Sequence, residues 1–170
     1  MNKLFIIFLF WLPFTIFPND INYDTLSLII NNIHLDFSMF PTKNIWNGNE
    51  VSPILDTSQK RNYRTIITEA SKLEPNFDGK YRIITFGYGS GAQYFFIIDL
   101  NNGNIYEGIP STHGIRYNVN SSLIIINDSD VILNNWRGWD ENIPNWISID
   151  YVLWENNDFK LLLTINPFNN

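Results

Sequence analysis

Gly87-Tyr88-Gly89-Ser90-Gly91-Ala92, with Gln93 after it, comes closest in this chain to a recognised chemical motif. The spacing matches GxGxxA, which holds a pyrophosphate when a strand precedes it and a helix opens from it. Here Tyr94-Phe95-Phe96-Ile97-Ile98 follows, a β-branched and aromatic run that reads as a strand. The expectation is therefore a wide hairpin whose glycines take positive φ, or a binding loop at a sheet edge, and no cofactor. Ser90 needs a base to become a nucleophile, and His113, in Thr112-His113-Gly114, is the candidate. A histidine in such a loop also reads as structural or merely exposed. Asp140 with Glu141, or Asp99 with Glu107, could supply the two carboxylates of a glycan hydrolase, but their spacing reads equally as solvated turn acids. Asp128-Ser129-Asp130 offers calcium ligands without the twelve-residue loop that would use them, so a turn is expected and no metal.

Asn134 to Trp146 reads NNWRGWDENIPNW. Trp136, Arg137, Trp139 and Trp146 in one short stretch have the composition of an interaction hot spot. Tryptophans also stack on sugar rings. The competing reading is a lid that folds these rings onto the sheet, because aromatic groups left in water are costly.

These residues need a scaffold. Asp56 reads as an N-cap with Gln59 three residues on. Tyr63, Ile66, Ile67 and Ala70 then fall on one helical face, with Lys60, Arg61 and Arg64 on the other, predicting one main amphipathic helix from about Thr57 to Lys72. Strands are expected at Tyr81–Phe86, Tyr94–Asp99, Asn104–Glu107 and Ser122–Asn127. Val131–Leu133 reads as another, and Trp146–Trp154 with Phe159–Ile165 as a hairpin around Glu155-Asn156-Asn157-Asp158. Leu26–Ile30 is an apolar patch of either type. The fold class expected is α+β: a predominantly antiparallel meander of hairpins with that one helix, in a single domain over residues 19–170.

The beginning of the chain bears on compartment. Met1-Asn2-Lys3 precedes fourteen residues, Leu4 to Phe17, that are apolar apart from Thr15, with Pro13 near their end. A helix of that length spans about 21 Å, short of the ~30 Å hydrocarbon core. Residues 1–18 therefore read as a secretory signal peptide, with an uncleaved anchor as the alternative. Membrane contact is expected only through this segment. Without it, ten basic residues face seventeen acidic ones, a net charge of −7. Such a charge repels phosphate backbones and argues against nucleic acid; it suits a basic partner. The absence of cysteine excludes disulfides and thiolate metal sites. Heavy use of Asn and Ile points to an AT-rich bacterial genome.

Pro75-Asn76-Phe77-Asp78-Gly79-Lys80-Tyr81, an apolar strand, a GxGxG loop, Ile97-Ile98-Asp99 and Gly103-Asn104-Ile105-Tyr106 occur in that order. In this the chain resembles a family of small exported bacterial proteins of uncharacterised function. The family's helix carries a Tyr-Arg pair, matched by Tyr63-Arg64. The likeness runs from Thr57 to Leu163, interrupted between Asp128 and Ser148, and includes the closing hairpin. Two loop cysteines of the family are replaced here by Tyr88 and Ala92. Its DSRLL strand start is Asn120-Ser121-Ser122-Leu123-Ile124, without the acid and the arginine. The resemblance implies export and fold, and no activity.

The resulting expectation is an exported, periplasmic or secreted protein that binds rather than catalyses. The partner would be an envelope or exported protein, or cell-wall glycan. A small wall-directed hydrolase using carboxylates or His113, and a structural envelope protein, are the alternatives.

Overall fold

The computed structural model describes residues 35–87, 92–136 and 146–166, with the backbone alone for Trp136. The signal segment, His34 and the Leu26–Ile30 patch lie outside the described residues.

Seven strands form two antiparallel sheets among the described residues. The first, β1 (Tyr81–Gly87), β2 (Gln93–Asp99) and β3 (Ile105–Glu107), has the order β1-β2-β3. The second, β4 (Ile115–Tyr117), β5 (Leu123–Ile126), β6 (Ile149–Glu155) and β7 (Asp158–Ile165), has the order β4-β5-β6-β7. Within each sheet every strand pairs with its neighbour in sequence, so each sheet is a meander, and β3 and β4 fall in different sheets. Helices α1 (Ser58–Asn62), α2 (Arg64–Ala70) and α3 (Ser129–Trp136) complete an α+β chain.

The sheets pack face to face, and each is also covered outside. Phe95 and Ile97 of β2 meet Ile124, Ile126, Val152 and Trp154 of the second sheet. Phe96 and Ile98, pointing the other way, pack with Ile67 and Ala70 of α2. On the second sheet, Leu123, Ile125, Ile149 and Tyr151 turn outward onto Ile132 of α3, with Leu35, Phe37 and Phe40 against them. Successive side chains point to opposite faces of a strand, so burying both faces demands unbroken apolar runs. Phe95 to Ile98 and Leu123 to Ile126, all at most 2% exposed, are those runs. Each such side chain contributes roughly 1.5–3 kcal/mol of burial.

Three expectations change. The single helix over Thr57–Lys72 is broken at Tyr63 (φ −103°, ψ 15°). The break lays the Tyr63 ring on Phe86, centroids 4.2 Å apart, and edge-on to Phe96. Within α2, Ile67 and Ala70 are buried while Ile66 stays 49% exposed. The N-cap is Thr57, whose Oγ1 accepts from Lys60 N, rather than Asp56. Asp56 instead takes the Lys60 ammonium at 2.7 Å, which lets that lysine lie against the protein rather than in solvent.

Val131-Ile132-Leu133 is helix, not strand. Asp128 Oδ1 accepts from Asp130 N (2.8 Å) and Asp128 O from Ile132 N (3.0 Å), so the expected turn is the first turn of α3. The Asn134–Trp146 stretch accordingly begins as helix, through Trp136. Strand β4 was not anticipated.

Pro75–Tyr81 forms a small hairpin ahead of β1. Phe77 and Tyr81 exchange backbone hydrogen bonds at 3.0 and 2.9 Å, with Asp78 (φ 40°) and Gly79 (φ 70°) in the left-handed turn. Asn76 acts as a side-chain strand, accepting from Ile83 N (2.7 Å) and donating to Ile83 O (3.0 Å). Asp78 accepts from Asn44 Nδ2 (2.6 Å) and Ser122 Oγ (2.8 Å). Its two oxygens thus join the incoming segment, the first sheet and the second. These residues work as a clamp in the fold.

Candidate functional site

β1 and β2 pair from Tyr81↔Asp99 to Gly87↔Gln93. The chain leaving the glycine loop is thus a strand returning along β1, where a pyrophosphate site would need a helix. Gly87 and Gln93 are exposed at the mouth of this hairpin. Tyr88, Gly89, Ser90 and Gly91 lie outside the described residues.

Gln93 begins a connected set of contacts. Its N–H donates to Ser111 O (2.7 Å), and Ser111 N donates back to Gln93 O (3.0 Å). Ser111 is 2% exposed, and its hydroxyl has no hydrogen-bond partner among the described residues. The chain then turns through Thr112, His113 and Gly114 (φ 73°), and Gly114 passes beside the Gln93 side chain.

Asn127 holds this turn. Its Oδ1 accepts from Thr112 N (2.8 Å) and His113 N (3.2 Å), while its Nδ2 donates to Ser148 O (2.9 Å). Its own N–H donates to Gly114 O (2.8 Å), and the residue is left-handed at φ 56°, a conformation Asn tolerates better than most. One side chain therefore fastens both the histidine turn and the segment leaving Trp146. The His113 and Trp146 rings lie 6.1 Å apart, tilted by 36°, and Trp146 is 60% exposed. A hollow of about 330 Å³ adjoins, bordered by Gln59, Ala92, Gln93, Tyr94 and Pro110.

The arrangement thus places Gln93, His113 and Trp146, from three stretches far apart in sequence, on one connected surface. For Trp146 the lid expectation fails: the ring is in solvent beside His113. Arg137, Trp139, Asp140 and Glu141 lie outside the described residues, as does the side chain of Trp136. Asn127 was missed because one asparagine does not stand out in an Asn-rich chain. Its position immediately before the acidic cap of α3 was the available signal.

The other acids have structural duties. Asp99, 1% exposed, binds Lys80 Nζ (2.7 Å), Asn101 N (2.9 Å) and Asn102 Nδ2 (3.2 Å). Glu107 sits opposite Phe96, three residues further along β2, so some 10 Å of strand separates it from Asp99. That pair does not converge. Arg116 reaches Asp128 at 3.5 Å and also pairs with Asp130, which draws both charges away from a metal. Among the described residues no group of three His, Cys, Asp or Glu could hold one. Thr112 Oγ1 lies 2.9 Å from His113 Nδ1 and 3.3 Å from Asn127 Oδ1, a local contact that secures the turn.

A second hollow, about 600 Å³, opens where Pro41–Asn44, the Asp78 clamp and the Asn156-Asn157 turn meet. Tyr81 Oη spans its edge to Asn157 Oδ1 (2.9 Å). It draws on segments too scattered for any sequence motif to reveal.

Burial pushes the His113 imidazole below its ordinary value. The unfolded chain therefore takes up the proton first as pH falls. The His113 contribution to stability is complete above the unfolded value of about 6.5 and is lost as pH drops through the folded value. Thermal unfolding from pH 7.5 to 5 should show a declining midpoint that His113→Gln flattens. An identical slope in the variant would show that His113 does not cause the decline.

No family model, curated protein or solved structure matches this chain. No helix among the described residues is long and apolar enough to cross a membrane.

Proposed function

We propose that this chain is an exported protein of the bacterial envelope, of the small-protein family it resembles, and that it works by binding another envelope or exported protein without catalysis. The surface assigned to that role joins Gln93, His113 and Trp146. One observation carries the reading: a large exposed indole stands beside His113, on chain segments anchored by Asn127. Rigid aromatic groups on a prepared scaffold give much contact area at low entropic cost. The glycine loop immediately precedes this surface's Ala92-Gln93 in sequence, and the Trp136–Trp139 stretch lies a few residues before Trp146. The acidic charge of the exported chain favours a partner with a basic face.

The test is capture from envelope extract and from solubilised cell wall by the exported chain and two variants. Gln93→Arg lies on the proposed surface, while Leu161→Arg lies on exposed β7 as a control. One protein retained by the wild type and Leu161→Arg, but lost by Gln93→Arg, is the expected result. Glycan retained alone would transfer the assignment to the wall. Cleaved wall fragments that disappear with His113→Ala would establish the hydrolase instead. Nothing retained by any form would leave a structural envelope protein.

A further inference from the structure

The chain contains two Asn-Gly pairs, Asn47-Gly48 and Asn102-Gly103, in nearly the same local geometry. Each asparagine folds its side chain over the following residue: Asn47 Oδ1 accepts from Asn49 N, and Asn102 Oδ1 from Asn104 N, both at 2.9 Å. Each glycine is left-handed, at φ 78° and φ 77°. What differs is the nitrogen between them. Gly103 N donates to Asp99 O at 2.8 Å, and the glycine is buried against the Ser52 carbonyl. Gly48 N donates to no described residue, Asn47 and Gly48 are both exposed, and nothing lies within 4 Å of where a Gly48 Cβ would be.

We propose that Asn47 is a site of spontaneous deamidation and that Asn102 is protected from it. The reaction needs only water. Gly48 N gives its proton to solvent base and attacks Asn47 Cγ. A new N–Cγ bond closes a five-membered succinimide, and the Cγ–Nδ2 bond breaks to release ammonia. The folded side chain keeps Cγ close to this nitrogen, and the hydrogen bond from Asn49 N polarises the carbonyl under attack. Water then opens the ring. Breaking the N–Cγ bond gives aspartate, and breaking the bond to the Asn47 main-chain carbonyl gives isoaspartate. No electrons are gained or lost. At Asn102 the attacking nitrogen is held in its hydrogen bond to Asp99, and the packed turn resists ring closure.

The position matters to the fold. Asn47 N donates to Asn101 Oδ1, and Asn101 Nδ2 to Ile45 O, both at 2.9 Å. These bonds strap the segment that packs Trp46 on the first sheet. Isoaspartate lengthens the main chain immediately after that strap, so aged protein carries an added negative charge and a displaced Gly48 beside it.

The experiment ages the full chain at mildly alkaline pH and follows tryptic peptides 44–60 and 83–116 by mass spectrometry, with fragmentation to assign the residue. Asn47 should gain the mass of an amide-to-acid exchange, faster at higher pH and more slowly in Gly48→Ala, while Asn102 stays intact. In denaturant the two sites should react at similar rates, because the protecting hydrogen bond is gone. Equal rates in the folded protein would overturn the proposal, as would faster reaction at Asn102 or a difference that persists in denaturant.

Discussion

Trp146→Ala should weaken partner binding about thirtyfold, some 2 kcal/mol, as expected for truncating a central aromatic contact. The same change should leave the unfolding midpoint almost untouched. Trp146 is 60% exposed and precedes the buried Ile147, so its removal opens no cavity in the core. This separation of binding from stability is diagnostic. A tryptophan packed as a lid would lose several kcal/mol of stability on truncation. Fluorescence-monitored binding beside thermal unfolding reads both quantities. Unchanged affinity with a large fall in midpoint would return Trp146 to the core.

Gly79→Ala should have the largest structural effect, a loss of about 2–5 kcal/mol. Left-handed backbone costs a non-glycine residue roughly 1–2 kcal/mol, and overpacking adds about 1–3. Gly79 has φ 70°, and a Cβ there would strike the Asn44 backbone carbonyl, which cannot swing away as a side-chain end would. Gly48→Ala is the matched control. Its φ is 78° with open space around it, so only the backbone cost of about 1–2 kcal/mol applies. Denaturant unfolding of the two variants should separate them clearly. Similar losses would mean that the Asp78-Gly79 turn yields, and that it does not clamp the sheets.

The hairpins were legible because their turns carry residues suited to positive φ. Gly103 closes the turn after β2 at φ 77°, and Asn156 (φ 55°) and Asn157 (φ 62°) form the two-residue turn between β6 and β7. Helix α3 was not, because Val131, Ile132 and Leu133 suit a strand equally and only the Asp128 cap decides. Tyr63 follows the helical period, so its break reflects ring packing on Phe86, which the local sequence does not encode. β4 is three half-buried residues, too short for a pattern.

The candidate surface was legible in its parts. Gln93 stood at the end of the glycine loop and Trp146 at the end of the tryptophan stretch. Their connection depends on the Gln93–Ser111 pairing and on Asn127, both products of the tertiary path. The PNFxGxY signature drew attention through its resemblance, yet Asn76, Asp78 and Gly79 have full structural employment. The carboxylates divide in the same way, with Asp99 held by Lys80, and Asp128 and Asp130 by Arg116.

Backbone hydrogen exchange of the chain with and without its captured partner tests the central claim most directly. Binding through this surface should slow exchange at residues 92–94, 111–114 and 146–148, with little change along β7 or around Asn156 and Asn157. Protection confined to β7, or to the hollow beside Asn44 and Asn157, would contradict the assignment and move the binding site there.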